Sequence, residues 1–171
     1  MEKQIIIING TGGSGKDTFV EFCMKYDNVM NFSSIDKVKE IATMIGWNGK
    51  KTDKDRKFLS DLKRLTTEYN DMAFNSMIDA VDKFNNSDNN ILFIHIREPK
   101  EIQRAVDYFG AKTLLVKRVG LDNIDTNYSD ANVDNYTYDY LIENNTLEGL
   151  EETAKMFIDQ FKSKTKKLSL W

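Results

Sequence analysis

Five short apolar runs, separated by stretches with helical spacing, set the pattern of the chain. The first, residues 4–8, contains Ile5-Ile6-Ile7-Ile8. A short β-branched run with no polar alternation predicts a strand buried on both faces, as in a parallel sheet. A helix is predicted over 17–26, with Phe19, Val20, Phe22 and Cys23 facing inward. Residues 29–32 read as a second strand. Ser33 and Asp36 have capping-box spacing, with Asp in place of Glu or Gln. Val38, Ile41, Ala42 and Ile45 follow at helical spacing, and Gly46 marks a stop.

Residues 53–84 are the longest periodic stretch. Phe58, Leu59, Leu62, Leu65, Tyr69, Met72, Ala73, Met77, Ala80, Val81 and Phe84 fall on one stripe near 3.6 residues per turn, which predicts one long helix with room for a kink. Core packing and a dimer-forming coiled coil both account for such a stripe. Residues 91–96 are a third buried strand. Pro99 suits a first helical turn, Ile102, Ala105, Val106 and Phe109 line the inner face of that helix, and Gly110 ends it. Strands four and five are predicted over 113–116 and 138–142. Asn145 and Glu148 have capping-box spacing before a last stripe of Leu147, Leu150, Ala154, Phe157, Ile158 and Phe161. The basic end, 162–171, reads as a solvated helix terminus rather than a binding tail.

Strand and helix thus alternate five times. This predicts an α/β fold, a five-stranded parallel sheet with helices on both faces. Neither an internal repeat nor a dividing linker interrupts the pattern, so the 171 residues read as a single domain.

Composition narrows the function. The formal net charge of −3 gives no basic excess for nucleic acid. One cysteine, Cys23, rules out an internal disulfide framework, and the sole histidine, His95, cannot build a metal cluster with it. No apolar stretch approaches the roughly 20 residues of a membrane span. The strand pattern begins by residue 4, leaving no room for a signal peptide. A soluble, reducing, cytoplasmic setting is the expectation.

The candidate chemistry follows the first strand. Residues 9–18, NGTGGSGKDT, match the phosphate-binding pattern G-x-x-x-x-G-K-[S/T] at Gly10, Gly15 and Lys16. Glycines let backbone N–H groups approach phosphates, the following helix adds its positive end, and Lys16 supplies a point charge for β- and γ-phosphates. Gly10, Gly12, Gly13, Ser14, Gly15, Lys16, Asp17 and Thr18 are therefore the candidate nucleotide contacts. The motif's hydroxyl residue is replaced by Asp17, whose carboxylate also suits a hard cation. An acid beside phosphates repels them without a metal, so nucleotide binding is expected to depend strongly on magnesium. A ligand-free turn capped by Asp17 is the plainer alternative.

The G-K-D-T loop resembles a branch of the small-molecule P-loop kinases that includes phage-type deoxynucleoside monophosphate kinases and animal-type phosphomevalonate kinases. The likeness continues through SSIDKVKEIA, KTDKDRKFLSDLKR, IREPKEIQRAVDYFGAKTLLVKR and YDYLIENN, in the family's order. It implies a P-loop NTPase fold of the nucleoside monophosphate kinase type. It also implies ATP with Mg2+ as donor, and a small phosphorylated acceptor, foremost a nucleoside monophosphate. Residues 33–86 would supply the acceptor-side helices and 119–137 a short lid. By matching position, Lys39 and Arg64 would face the acceptor, and Arg97 would bridge acceptor phosphate and transferred phosphoryl. Arg118 would lie near the adenine or the donor phosphates, and Asn144 would border the adenine. Ser34, beside a helix start, is a further acceptor candidate. Asp36 could also reach an acceptor, although capping explains it better.

The chemistry supports these roles independently. Bringing two phosphates together requires converging cations, and Arg97 and Arg118 end the third and fourth strands, where ligands of such sheets bind. Arginine offers phosphate two hydrogen bonds in fixed geometry. For Arg97 the competing reading is a surface pair with Glu98 or Glu101; for Lys39 and Arg64 it is a solvated helix face.

Two features depart from the resemblance. Where the family commonly has D-x-R at the end of strand three, this chain has His95-Ile96-Arg97. Asp17 could partly replace the missing carboxylate, and His95 reads as either a buried or a catalytic histidine. Residues 119–137 contain no Lys or Arg and carry Asp122, Asp125, Asp130 and Asp134. An acidic cover opposes phosphate binding unless it faces solvent or metal. Three readings remain open: a nucleoside monophosphate kinase, a kinase of another phosphorylated metabolite such as phosphomevalonate, and a nucleotide-binding module without kinase activity.

Overall fold

β1 (Gln4–Asn9) is the centre of the sheet, because its isoleucines need cover on both faces. α1 (Lys16–Tyr26) returns the chain to β2 (Val29–Ser33) at one edge. α2 (Asp36–Met44), α3 (Asp53–Asn70) and α4 (Met72–Asn85) follow. β3 (Ile91–His95), α5 (Pro99–Phe109), β4 (Lys112–Arg118), β5 (Tyr140–Asn144) and α6 (Leu147–Leu168) complete the order. The computed structural model describes residues 2–120 and 133–168. The five strands form one parallel sheet ordered β2-β3-β1-β4-β5. β1 pairs with β3 (Ile8 opposite His95) and with β4 (Asn9 opposite Leu115), and β4 pairs with β5 (Arg118 opposite Asn144). The fold is the α/β parallel-sheet fold predicted from the alternation.

The contacts divide the chain into two compact units. One comprises residues 1–31 and 87–171, the other Phe32–Asn86. In the first, α1 and α6 pack together over one face of the sheet. There Ile6, Ile8, Phe19, Val20, Phe93, Leu114, Val116, Phe157 and Ile158 form a continuous core. Phe157 stacks edge-on against Phe19, Tyr140 and Phe161, a dense aromatic centre of the kind that adds to simple area burial. α5 lies along β1 with Ile102 and Ala105 buried. Lys162 of α6 donates to the carbonyl oxygen of Tyr26 at 2.7 Å, tying α6 to the negative end of α1.

Cys23 is fully buried in this core, and burial pushes its thiol up to about 12, with a backbone hydrogen bond opposing. Near neutral pH the thiol is held in its protonated, unreactive form. A disulfide reagent is therefore expected to leave the folded protein untouched and to titrate one thiol once denaturant is added. Prompt reaction without denaturant would contradict the packing.

In the second unit, α2, α3 and α4 pack on one another. The single helix expected over 53–84 is two helices. Asp71 stands between them in the left-handed region (φ 54°, ψ 36°) as the C-cap of α3 and N-cap of α4. The stripe continues across the break in sequence but not in burial. α4 buries Phe74, Met77, Ala80, Val81 and Phe84, whereas α3 has no fully buried residue and exposes Leu65 and Tyr69. Thr52 and Asp55 form a reciprocal capping box at the start of α3. Those hydrogen bonds hold the Asp55 carboxyl below its usual range. The capping contribution is thus present above the ordinary carboxylate pKa and fades as pH falls through the lowered one.

Several boundaries also differ from expectation, three of them with a visible local reason. Asp36 accepts from the Ser33 N–H at 2.8 Å, half of a capping box, while Ile35 is the N-cap of α2 with no side-chain bond. Thr146 rather than Asn145 caps α6, accepting from the Gly149 N–H at 3.0 Å. β5 starts at Tyr140, not at residue 138, because the two preceding side chains hold other partners. Tyr138 bonds Asn9, and Asp139 accepts from both the N–H and the hydroxyl of Thr113.

Candidate functional site

The carboxyl ends of β1, β3, β4 and β5 each contribute to the site, since β1 lies between strands reached by connections running in opposite directions. From the end of β1 the chain enters the glycine loop. Gly10 has no room for a side chain: a Cβ there would stand 2.5 Å from Ser14 Oγ and 2.6 Å from the Val116 carbonyl oxygen. Ser14 N–H donates to Thr11 O at 3.1 Å, closing the turn. Gly15, the N-cap of α1, takes φ 91°, which an L side chain rarely adopts. Its neighbour is Asn144, at the end of β5, whose amide donates to Ser14 O at 3.0 Å and fixes the loop from the opposite side.

Two consequences follow for anion binding. No side chain caps α1, so its first N–H groups, at the positive end of the helix, are left for an anion. The Ser14 hydroxyl is buried without a hydrogen-bond partner, a donor that an oxyanion in the loop can satisfy. Beside the helix start lies a cavity of about 330 Å³ lined by Gly13, Gly15, Lys16, Asp17, Thr18, Arg118 and Asn144, with Asn145, Thr146, Leu147 and Leu150 from the β5–α6 turn. A larger depression, about 530 Å³, runs along α5 between Lys100, Gln103, Arg104, Asp107 and Tyr108. It is open surface between long side chains of one helix, and the glycine loop takes no part in it.

Lys16 is 13% exposed, with Nζ 3.7 Å from Asp17 Oδ2. The Asp17 side chain is 74% exposed, and its Oδ1 is 3.6 Å from Nδ1 of His95. His95 Nε2 in turn lies 2.7 Å from Asn31 Oδ1. The exposed carboxylate of Asp17 and the Thr18 residue on the cavity wall give oxygen donors of the type magnesium takes, completed by phosphate oxygens.

Several candidates from the sequence meet here. The loop residues Gly13, Gly15, Lys16, Asp17 and Thr18 line one cavity with Arg118 and Asn144. Gly10 and Ser14 shape the loop beneath it. Arg97 is exposed just beyond β3, and its carbonyl oxygen accepts from Asn9 at 3.2 Å. Ser34, Lys39 and Arg64 belong to the Phe32–Asn86 unit. There Ser34 is buried, Lys39 is half-buried on α2, and Arg64 is exposed and forks onto both carboxylate oxygens of Glu68 at 3.0 and 3.1 Å. Asp122, Asp125 and Asp130 of the expected lid lie outside the described residues. Asp134, at its end, pairs with Lys117.

Sequence reasoning missed Asn9. This residue is 1% exposed and serves three partners. Its Oδ1 accepts from the Gly10 N–H at 2.8 Å, and its Nδ2 donates to Arg97 O and, at 2.8 Å, to the Tyr138 hydroxyl. The Tyr138 hydroxyl in turn donates a hydrogen bond to Val133 O at 3.0 Å, and burial raises its phenol pKa. One asparagine thus joins the loop entrance, the chain beyond β3 and the segment before β5. Asn9→Leu is expected to lower stability by about 1–3 kcal/mol for each buried group left unpaired, measured by urea denaturation; an unchanged midpoint would show the network to be idle.

No family model matches the chain, and no curated protein matches it in sequence. Solved structures do. The structure of TT1252 from Thermus thermophilus aligns with a TM-score of 0.53 at 17% identity, covering 94% of this chain and 98% of that one. The tunicamycin resistance protein of Deinococcus radiodurans aligns with a TM-score of 0.56 at 14% identity, covering 94% and 96%. The likeness is one of fold. No helix among the described residues is long and apolar enough to cross a membrane.

Proposed function

We infer that the protein is an ATP-dependent kinase that moves the γ-phosphoryl group to a nucleoside monophosphate, deoxynucleotides included. The observation that carries this reading is the uncapped start of α1 opening, with Lys16 and Arg118, onto the 330 Å³ cavity. Backbone N–H groups there would hold the oligophosphate, and Lys16 would meet its β- and γ-oxygens. Leu147 offers exposed apolar surface beside the polar Asn144, a mixture that suits a purine base. Magnesium, when bound, would neutralise charge on the transferred group, with Asp17 as its candidate protein ligand. Arg97 and Arg118 would stabilise the charge that spreads over the phosphoryl oxygens in the transition state. Lys39 and Arg64 are assigned to the acceptor by the sequence resemblance, and Ser34 by its place beside a helix start.

The test is a panel of nucleoside and deoxynucleoside monophosphates, with phosphomevalonate alongside, incubated with ATP and Mg2+ and read by chromatography. A diphosphate formed from one or a few of the nucleotides is the expected result. Phosphomevalonate as the sole acceptor would move the reading to another metabolite. ATP left intact beside the whole panel would leave a nucleotide-binding module.

A further inference from the structure

We propose that Asn9 is a positioning residue for phosphoryl transfer, its carboxamide setting the main chain of Arg97 in register with the glycine loop. The proposal rests on the kinase reading, in which Arg97 meets the transferred group, and adds to it the residue that places that arginine. Asn9 is the last residue of β1. On the β4 side its main chain is still paired, opposite Leu115; on the β3 side the pairing ends one step earlier, at Ile8 opposite His95. A main-chain bond reaches past β3, from the Ile96 N–H to Ile8 O at 3.3 Å. From there β1 turns into the glycine loop and the other chain runs on to Arg97. The Asn9 side chain spans the parting. Its Oδ1 accepts from the Gly10 N–H at 2.8 Å, and its Nδ2 donates to Arg97 O at 3.2 Å.

The chemistry of the carboxamide fixes this bridge in one orientation. An asparagine side chain has one acceptor oxygen and two N–H donors. Both donors are used, on Arg97 O and on the Tyr138 hydroxyl at 2.8 Å. Turned over, the amide would set its N–H groups against the Gly10 N–H and its oxygen against the Arg97 carbonyl. The side chain is 1% exposed, so water competes little for these bonds. The two ends of the bridge depend on it unequally. Gly10 is also held by packing, since a Cβ there would stand 2.5 Å from Ser14 Oγ and 2.6 Å from Val116 O. Arg97 is exposed and lies in the connection 96–98 between β3 and α5, where no strand ladder holds it. Its guanidinium swings from that main chain, and a misplacement of about 1 Å in a group that serves the reaction can lower the rate about 100-fold. Asn9, Gly10, Arg97 and Tyr138 all belong to one compact unit.

The experiment is a double-substitution cycle between Asn9 and Arg97 in the full-length protein, run with ATP, Mg2+ and the nucleotide that the wild type phosphorylates. Asn9→Ser, too short to reach Arg97, is expected to lower kcat about 10–100-fold. Affinity for a non-hydrolysable ATP analogue should stay nearly unchanged, because Gly10 remains packed. Arg97→Ala should lower kcat about 100-fold or more. Adding Asn9→Ser to it should then cost little further, since the group that Asn9 places is gone. Tyr138→Phe removes a bond of the same network without touching Arg97, and should lower stability while sparing kcat. Should Asn9→Ser fail to fold, the wild type still decides. Its Asn9 side-chain amide protons should exchange slowly with solvent, and should shift when ADP, aluminium fluoride and the acceptor nucleotide mimic the transition state. Multiplicative losses in the double variant, a kcat indifferent to Asn9→Ser, or amide signals unmoved by the mimic would overturn the positioning role and leave the kinase reading standing. A wild type that phosphorylates no nucleotide, or an Arg97→Ala variant as fast as wild type, would overturn the role of Arg97 and the proposal with it.

Discussion

Lys16→Met is expected to lower phosphoryl transfer by about 10²–10³-fold, the usual cost of removing one donor aimed at developing charge. Nucleotide affinity should fall by about tenfold or more, since a charge-assisted hydrogen bond contributes about 1.5–3 kcal/mol. The fold should survive, because methionine keeps the aliphatic stem and the ammonium takes no part in the core. Steady-state kinetics with binding of an ATP analogue separates the two effects. A variant that transfers phosphate as fast as wild type would remove Lys16 from the chemistry. Lys16→Arg is expected to recover little, since a wide planar guanidinium does not replace a compact ammonium within a tight loop.

Gly15→Ala carries the second large effect, through the backbone. At φ 91° the new Cβ would stand 2.4 Å from Asn144 Nδ2 and 3.4 Å from its Cγ. The left-handed conformation alone costs an L residue about 1–2 kcal/mol, and displacing Asn144 forfeits its bond to Ser14 O, about 0.5–1.5 kcal/mol. A loss of about 2–3 kcal/mol should lower Tm by roughly 5–10 °C in a chain of this size. Nucleotide binding should weaken further, because the loop N–H groups lose their common orientation. Combining Gly15→Ala with Asn144→Ala relieves the collision and leaves the strain. The double variant should therefore be less destabilised than the two single effects summed. Strict additivity would show that the amide and the glycine do not meet.

Local signals in the sequence carried the elements that the structure contains. α5 has the predicted boundaries because Pro99 and Gly110 act within one turn of their own positions. β1 and β3 are nearly continuous apolar runs and β4 has one at its centre, the appearance expected of strands covered on both faces. The break at Asp71 was hidden because the apolar stripe runs through it, and a left-handed aspartate leaves no mark that a helical aspartate lacks. The glycine loop was legible because its spacing is contiguous. Asn9 with Arg97 and Tyr138, and Asn31 with His95, join residues 64 to 129 positions apart. Only the folded sheet brings such pairs together. For the same reason the acceptor assignments of Lys39 and Arg64 continue to rest on resemblance and that of Ser34 on its place beside a helix start, and the acidic stretch around Asp125 stands outside the described residues.

The central claim is that main-chain amides between Gly12 and Thr18 enclose an oligophosphate. It is tested most directly by titrating ¹⁵N-labelled protein with a non-hydrolysable ATP analogue and following the amide resonances. The largest shifts should fall on Gly12 to Thr18, saturating together at one equivalent, with Asn144 moving alongside. Saturable binding that leaves those seven amides unmoved, or no binding at all, would contradict it.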